Sequence, residues 1–288
     1  MESESSAIGR AAPAPPRLPT LFLPHGGGPC FFMDDPEGIW RRLAHFLARV
    51  VADLPRRPKA LLVVSGHWEA QRFTVNRAAR PPLMYDYYGF PAHTYRLRWD
   101  APGAPAVAHR AARLLEAAGF AVGEEDERGW DHGVFVPMKV AVPDADIPTV
   151  QLSLLARLDP AAHLAAGRAL QPLRHEGVLI VGSGMSFHNL RARGAAVAPI
   201  AEAFDAGLTA AVTDPDPAAR AARLIAWDTL PYARLAHPRE EHLLPLMVAA
   251  GAGGEDAASR VFGDSVFGWA ISGYRFGEAG TGGRGRGR

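Results

Sequence analysis

The sequence predicts an α/β fold: a single three-layer domain with a mainly parallel central sheet flanked by helices. Short apolar runs bounded by glycine or proline have the composition of strands buried on both faces, as in parallel sheets. Between them lie longer segments whose apolar residues recur at helical spacing. Strands that alternate with helices in this way form a parallel sheet covered on both faces.

The composition agrees with one large α/β domain or two small ones. The 288 residues are 48% hydrophobic and 21% charged, which is enough apolar content for a core. The formal net charge is only +1, so we expect no nucleic-acid partner. Runs of 18 consecutive apolar residues are missing from the sequence, and we therefore expect no membrane partner.

The single cysteine, Cys30, excludes an intrachain disulfide and a cysteine-based zinc site. Because the N-terminus also lacks the pattern of a secretory signal, we expect a cytoplasmic protein. Composition divides the chain into a flexible N-terminal tail at residues 1–17, a catalytic domain at 18–276 and a disordered Gly/Arg tail at 277–288.

The elements follow one another in a regular alternation. Strands are predicted at Leu18–Pro24, Lys59–Ser65, Phe73–Val75, Ile147–Leu154, Gly177–Val181 and Ser272–Phe276. Helices are predicted at about Pro36–Leu54, Pro102–Gly119, Asp159–Leu173, Ala198–Val212, Ala218–Trp227 and His237–Ala250. The charged stretch Glu124–Arg128 is interpreted as a loop.

Three of the predicted strands run into a histidine. The first strand is followed by His25, the second by His67, and the Gly177–Val181 strand by His188 after a short glycine-containing turn. The carboxyl ends of parallel strands meet at one edge of the sheet, where ligands bind in α/β folds. One such histidine is typical of the core or of a helix cap, but three at the same edge indicate a metal site.

Five histidines stand beside small or turn-forming residues: His25, His67, His132, His188 and His242. Imidazole is the commonest metal ligand and the usual acid or base near neutral pH. Glu241 adds a carboxylate, but adjacent helical residues point about 100° apart, so Glu241 and His242 are alternatives as ligands. A set of such ligands that leaves coordination positions free on the metal suits either non-heme Fe(II) oxygen chemistry or a catalytic zinc ion. The ligand types do not distinguish between the two metals.

The other histidines receive ordinary structural interpretations. Four of them are predicted to lie on helices or at helix ends, as surface or capping residues: His45, His109, His163 and His175. His237 marks the start of a helix, and His93 belongs to an aromatic loop beginning at Tyr85. That loop either forms a wall beside the site or packs its rings into the surface of the core.

Six motifs occur in a fixed order along the chain. They are Pro24–Gly26, Ser65–Trp68, Tyr85–Pro91, Asp131–Gly133, Gly182–Gly184 with His188–Leu190, and His237–Pro238 with Glu241–Leu246. With these motifs the chain resembles the DOPA-type extradiol ring-cleaving dioxygenases, a branch of the superfamily that includes protocatechuate 4,5-dioxygenase. The resemblance extends over about Leu18–Phe276.

The resemblance implies a role for each site residue. His25 and His67 would be metal ligands, with His242 as the third, although the protocatechuate branch uses a glutamate and Glu241 is the alternative. His188 would accept a proton from substrate and would act as a fourth ligand when zinc is bound. His132 would be a second catalytic histidine that contacts substrate or oxygen. The aromatic side chains of Tyr85, Tyr88 and Phe90 would form the wall of the substrate pocket.

The resemblance also implies the reaction. A catechol-type ring would be opened by O2 to a semialdehyde at one divalent metal per chain, with Fe(II) for activity or Zn(II) as bound, in a monomer or small homo-oligomer. Because each histidine must be neutral to ligate a metal or accept a proton, we expect activity to fall below about pH 6. The loops Gly26–Gly28 and Met185–Phe187 depart from the family pattern and leave the identity of the catechol open.

Other functions were weighed against this one. A zinc-dependent hydrolase and a non-catalytic metal-binding protein, in which His188 stays coordinated, agree with the same ligands. A serine hydrolase is disfavoured because no serine has glycine two residues before and two residues after it. A dinucleotide site is disfavoured because the loop after His25 reads Gly-Gly-Gly-Pro.

Overall fold

The computed structural model describes residues 17–278, and within them the centre is an eight-stranded sheet. Its strands are β1 (Thr20–Pro24), β2 (Ala60–Ala70), β3 (Phe73–Asn76), β4 (Val122–Glu125), β5 (Thr149–Leu155), β6 (Val178–Gly184), β7 (Ala258–Val266) and β8 (Trp269–Phe276). The spatial order is β4-β3-β5-β2-β6-β1-β8-β7. The four central strands β5, β2, β6 and β1 are parallel, and β8 and β7 add an antiparallel edge. The predicted mainly parallel sheet is therefore confirmed.

Helices cover this sheet. They are α1 (Arg41–Val50), α2 (Pro105–Ala117), α3 (His132–Ala141), α4 (Pro160–Leu170), α5 (Pro172–Glu176), α6 (Ala198–Val212), α7 (Pro217–Ile225), α8 (Ala233–Ala236) and α9 (Leu244–Gly253). Consecutive residues of a strand point to opposite faces of a sheet. In β6, Gly182 faces the backbone of Pro245 at the start of α9, whereas Ser183 bonds to Gly133 in α3. The sheet thus lies between helical layers, as predicted.

The core is densest around β6, where Val178, Leu179, Ile180 and Val181 are almost completely buried. Burying one side chain of this size contributes about 1.5–3 kcal/mol relative to leaving it in water. An apolar run without polar alternation is what a strand needs when helices cover both of its faces. The same rule explains why the central strands could be predicted from sequence.

The edge strands β4 and β7 were not predicted. β4 ends in Glu124 and Glu125, and the stretch beginning at Glu124 was interpreted as a loop. β7 carries polar residues over much of its length because several of its side chains are exposed or half-buried. Hydrophobic patterns do not predict such strands, because an edge strand is held mainly by backbone hydrogen bonds to its single neighbour and needs few apolar side chains.

Three predicted helices and one tail need correction. α1 begins at Arg41 rather than Pro36, and the predicted helix Asp159–Leu173 is divided into α4 and α5 at Pro172. The helix expected to open at His237 begins only at Leu244, which leaves residues 237–243 outside regular structure except for turns. Arg17, assigned to the N-terminal tail, forms an ion pair with Asp256. The remaining tail predictions, for residues 1–16 and 279–288, lie outside the described residues.

Residues 195–212, which include α6, form one helical segment with a mean hydropathy of 1.3. Its length and composition are sufficient to cross a membrane, but a core helix of a globular domain satisfies the same test. α6 packs against β8, and its buried face includes Phe204 and Leu208.

Candidate metal centre

The adjacent strands β2, β6 and β1 bring their histidines to one edge of the sheet. His25 follows β1 directly, and its backbone N–H donates to the carbonyl of Gly184 at the end of β6 (3.0 Å). His67 lies inside β2 rather than beyond it, because the strand continues to Ala70 after a register shift between Val64 and Glu69. His188 follows β6 and its backbone N–H donates to the carbonyl of Ala236 (3.0 Å).

His242 reaches the same edge from the turn that precedes α9. Its carbonyl oxygen accepts a hydrogen bond from the backbone N–H of Met185 (3.0 Å). A Cβ atom on Gly184 would lie only 2.1 Å from that carbonyl oxygen. Glycine in the Gly182–Gly184 motif therefore permits the close approach that places the ring of His242 beside the strands.

Three imidazole nitrogens converge at this edge. Nε2 of His67 lies 3.3 Å from Nε2 of His25 and 3.2 Å from Nε2 of His242. Nitrogen ligands about 2.0–2.1 Å from one tetrahedral metal ion are about 3.3–3.4 Å apart. The rings of His25 and His242 are almost completely buried. The spacing fits three ligands of a single ion.

The hydrogen bonds on the other edges of the rings determine which nitrogen carries the proton. Nδ1 of His25 lies 3.1 Å from Oγ of Ser183, and this hydroxyl donates its own proton to the carbonyl of Gly133. Ser183 can therefore only accept from His25, which puts the ring proton on Nδ1. Nδ1 of His242 likewise donates to the carboxylate of Glu241 (2.8 Å). Their Nε2 atoms carry lone pairs that face His67.

Nε2 of His67 carries at most one proton and could donate to only one of the two lone pairs that face it, whereas a metal ion would accept all three nitrogens, so the donor set fits a metal ion. The pKa values agree with neutral rings. Burial, together with the neighbouring imidazoles, lowers the pKa of His25 and His242 well below the usual range. Burial and the nearby ring of His132 lower the pKa of His67 to about 3.

Glu241, the predicted alternative to His242, lies on the outer side of that ring. Its Oε1 accepts from Nδ1 of His242 at 2.8 Å and lies 3.4 Å from Nδ1 of His188. Nδ1 and Nε2 are on opposite edges of an imidazole, so this carboxylate faces away from the cluster of Nε2 atoms. The ligand atoms of these three residues lie within 4.8 Å of one another, and the hydrogen bonds account for their proximity. The assignment of His242 as the third ligand stays a prediction.

The ring of His188 stacks on that of His242, with ring centroids 3.4 Å apart and planes 17° apart. Both Nδ1 atoms face the same oxygen of Glu241, so the two Nε2 edges run nearly side by side. Nε2 of His188 is left without the carboxylate, and the side chain is 21% exposed. The role of His188 as a fourth ligand stays a prediction.

His132 begins α3 and is held by Asp86. One oxygen of Asp86 accepts from both the backbone N–H of His132 (2.8 Å) and its Nδ1 (2.9 Å). The ring centroid of His132 lies 3.8 Å from that of His67. Asp86 was not recognised as a site residue from the sequence. Its position as a single carboxylate within a run of aromatic residues could have indicated this role.

A buried carboxylate supports the register shift in β2. Asp131 accepts from Oγ of Ser65 (2.8 Å) and from Arg128 (3.2 Å), and Arg128 also donates to the carbonyl of His67 (3.2 Å). Burial, followed by the charge of Asp86, raises the pKa of Asp131. These contacts fix the backbone on both sides of Gly66.

The aromatic loop packs against this centre, but not with all the predicted rings. Phe90 covers Gly28, where φ is +54° and a Cβ atom would lie 2.7 Å from the ring. The ring of Tyr87, which was not predicted, is 5.8 Å from that of His132, and Tyr85 packs on Phe135. Tyr88 is 91% exposed, so its place in the pocket wall is not supported by this structure.

His163, which was given a surface or capping role, and His237, which was expected to mark the start of a helix, are both buried. His163 accepts from the backbone N–H of Leu155 and bonds to the carbonyl of Asp159. His237 bonds to the carbonyl of Ser186 and so supports the loop that leads to His188. His45, His109 and His175 are exposed, as expected. His93 is also exposed and bonds to the carbonyl of Phe32.

A known protein family matches most of the chain. The model of the LigB family, described as the catalytic LigB subunit of aromatic ring-opening dioxygenase, matches residues 19–273. The chain belongs to this family. Its members use a metal, and the family implies an aromatic substrate and O2.

Similar proteins support the assignment to the LigB family. The chain is 42% identical over 280 residues to the dioxygenase tasH of Hapsidospora irregularis, covering 90% of this chain and 85% of the relative. It is 38% identical over 264 residues to a 4,5-DOPA dioxygenase extradiol of Beta vulgaris, covering 89% and 96%. The crystal structure of an uncharacterized protein from Escherichia coli K12 matches with a TM-score of 0.73 at 30% identity, covering 91% of this chain and all of that one. This LigB-family protein is an extradiol ring-cleaving dioxygenase, an oxidoreductase.

Proposed function

We propose that this dioxygenase opens the ring of a catechol with O2 to a semialdehyde, at one divalent metal per chain held by His25, His67 and His242. The observation that carries the proposal is that Nε2 of His67 lies 3.3 Å from Nε2 of His25 and 3.2 Å from Nε2 of His242. Fe(II) is proposed for activity, and the same ligands suit Zn(II) as the bound ion.

When bound, the Fe(II) ion would supply a cation that favours the catecholate form of the substrate and mediates electron transfer between the ring and O2. The protein contributes buried imidazole ligands, two of which have a fixed tautomer. Ser183 and Glu241 hold His25 and His242 with their lone pairs directed inward. Three protein ligands leave coordination positions for substrate and oxygen.

His188 is proposed to accept a proton from a catechol hydroxyl. Glu241 occupies its Nδ1, so Nε2 carries the lone pair and lies beside Nε2 of His242. A base stacked beside a metal-binding histidine would be placed to take a proton from a hydroxyl that approaches the metal. His132, held in the same tautomer by Asp86, is proposed to contact substrate or oxygen on the side of His67.

The proposed substrate is a substituted catechol bound against Phe90, Tyr87 and Tyr85. Several relatives of this chain carry the name 4,5-DOPA dioxygenase extradiol, which makes DOPA the first catechol to test. Phe90 and Tyr87 form an edge-to-face pair with ring centroids 5.5 Å apart, a geometry suited to the edge of a further ring.

The experiment is anaerobic reconstitution with Fe(II), followed by addition of DOPA or 4-substituted catechols and then air. We expect uptake of O2 and a yellow ring-opened product. His67→Ala should lose both the metal and the product, whereas His188→Ala should retain most of the metal and lose turnover. His45→Ala, at an exposed ring on α1, is the matched control. Metal-loaded protein that consumes no O2 with any catechol would contradict the proposal and favour a hydrolytic or non-catalytic metal site.

A further inference from the structure

We propose that Asp86 and Glu241 are a pair of positioning residues that fix the tautomers of histidines at this centre. Glu241 serves His242 and His188, and Asp86 serves His132 and lies beside His67. The roles of the four histidines rest on the proposed function. The hydrogen-bond geometry does not, and the test below reads that geometry directly.

Glu241 reaches both of its histidines with one oxygen. Oε1 is 2.8 Å from Nδ1 of His242 and 3.4 Å from Nδ1 of His188. An ionised carboxylate can only accept hydrogen bonds, so each Nδ1 must carry its proton and each Nε2 must be bare. The near-parallel stacking of the two rings follows from sharing this one acceptor.

Asp86 repeats the arrangement on the other side of the cluster. Its Oδ1 accepts from Nδ1 of His132 (2.9 Å), and its Oδ2 lies 3.8 Å from Nδ1 of His67. A contact of 3.8 Å is too long for a hydrogen bond, so Asp86 fixes the tautomer of His132 and not that of His67. The backbone N–H of His132 donates to the same Oδ1 (2.8 Å), which fixes the carboxylate at the start of α3.

Each carboxylate is itself held in place. Arg239 pairs with Glu69 through two contacts of 2.5 Å and lies 3.4 Å from Oε2 of Glu241. Aspartate and glutamate side chains are normally ionised at neutral pH, so both groups act as hydrogen-bond acceptors.

The pairing predicts that the variants Asp86→Asn and Glu241→Gln will have separate, local effects. An amide can either donate or accept, so it no longer imposes one tautomer on the imidazole that it faces. Asp86→Asn should release His132 and leave His188 and His242 unchanged. Glu241→Gln should release His188 and His242 and leave His132 unchanged.

The direct test is a long-range ¹H–¹⁵N NMR correlation spectrum of the metal-free protein, which reports the protonated nitrogen of each histidine. In the unsubstituted protein we expect His132, His188 and His242 to be protonated on Nδ1, and we expect a mixture of tautomers at the released rings in each variant. His163 is the internal control for folding, because its Nε2 accepts from Leu155 and its tautomer should not change. Protonation on Nε2 in the unsubstituted protein, or variants with unaltered tautomers, would overturn the proposal.

A second readout is the affinity for Zn(II), measured by competition with a chelator. Replacing a group that orients a metal-binding histidine typically costs about 10–100-fold in metal affinity. We expect a loss in this range for Glu241→Gln and a smaller one for Asp86→Asn, whose ligand contact is longer. Asp100→Asn, at an exposed carboxylate, should bind as the unsubstituted protein does. Unchanged affinity in both site variants would count against the pair. Absence of catechol cleavage with correct tautomers would contradict the proposed function alone.

Discussion

The hydroxyl of Ser183 accepts a hydrogen bond from Nδ1 of His25 (3.1 Å) while donating its own proton to the carbonyl of Gly133. This serine thereby joins β6 to the first predicted metal ligand on β1 and to the start of α3. The serine is completely buried. Its single hydroxyl proton is donated to Gly133, so Nδ1 of His25 must be the donor in the other hydrogen bond.

Removal of that hydroxyl should weaken metal binding without unfolding the domain. In Ser183→Ala the proton of His25 is no longer held on Nδ1, so we expect about 10–100-fold lower affinity for Zn(II). Ser153→Ala, at a buried serine of β5 that accepts from the backbone of Thr74, provides a matched control. Equal affinities in the two variants, measured by chelator competition, would contradict the role given to Ser183.

The close approach of β6 and the turn before α9 predicts a steric cost at Gly184. A methyl group there would lie 2.1 Å from the carbonyl oxygen of His242, so Gly184→Ala should lower the free energy of unfolding by about 1–3 kcal/mol or more. Gly27→Ala is the control, because the nearest atom to its Cβ, in Trp40, is 3.6 Å away. Urea unfolding of both variants tests this, and similar midpoints would argue against the tight contact.

The aromatic loop gives a prediction that separates two of the rings expected to line the pocket. Phe90 packs on Gly28 and Tyr87, whereas Tyr88 is 91% exposed. We therefore expect Phe90→Ala to raise KM for a catechol several-fold and Tyr88→Ala to change it little. Steady-state O2 uptake measures both, and a larger effect at Tyr88 would show that the loop adopts another arrangement with substrate.

The buried His163 predicts a dependence of stability on pH that does not involve the metal centre. Burial lowers its pKa from 6.5 to about 4 in the folded protein. Between these pH values the unfolded chain binds the extra proton, so the contribution to stability is complete above pH 6.5 and is lost as the pH falls towards 4. The full effect is about 3 kcal/mol.

Urea unfolding of the metal-free protein at pH 7 and pH 5 measures this effect. In His163→Asn the loss of stability between the two pH values should be smaller than in the unsubstituted protein. His109→Asn, at an exposed histidine of α2, should keep the original dependence. An identical dependence in all three proteins would show that His163 does not contribute.

The central sheet could be predicted because β2, β5 and β6 are mostly buried and contain apolar stretches, such as Leu61–Val64 in β2 and Val178–Val181 in β6. The histidines at its edge followed from the rule that parallel strands end together. Asp86 and Ser183 could not be found in the same way, because their roles depend on which nitrogen faces which oxygen in the folded chain. Such pairings join segments far apart in sequence and leave no periodic signal.

The choice between Glu241 and His242 illustrates the same limit. Their order in the sequence indicates only that both cannot easily point at one ion. In the structure, one carboxylate oxygen of Glu241 faces Nδ1 of His242. The turn before α9, and not helical geometry, sets this relationship.

The expected fall in activity below about pH 6 also assumed imidazoles with ordinary pKa values. Burial lowers the pKa of His25, His67 and His242, so protonation of these ligands begins at lower pH.

The most direct test of the metal centre is a crystal structure of the protein loaded with Zn(II) or Fe(II), with the ion located by anomalous scattering. We expect one ion per chain, about 2.0–2.1 Å from Nε2 of His25, His67 and His242 for zinc, with the carboxylate of Glu241 on the far side of the His242 ring. An ion bound through Glu241, or one that contacts fewer than two of these three nitrogens, would contradict the account.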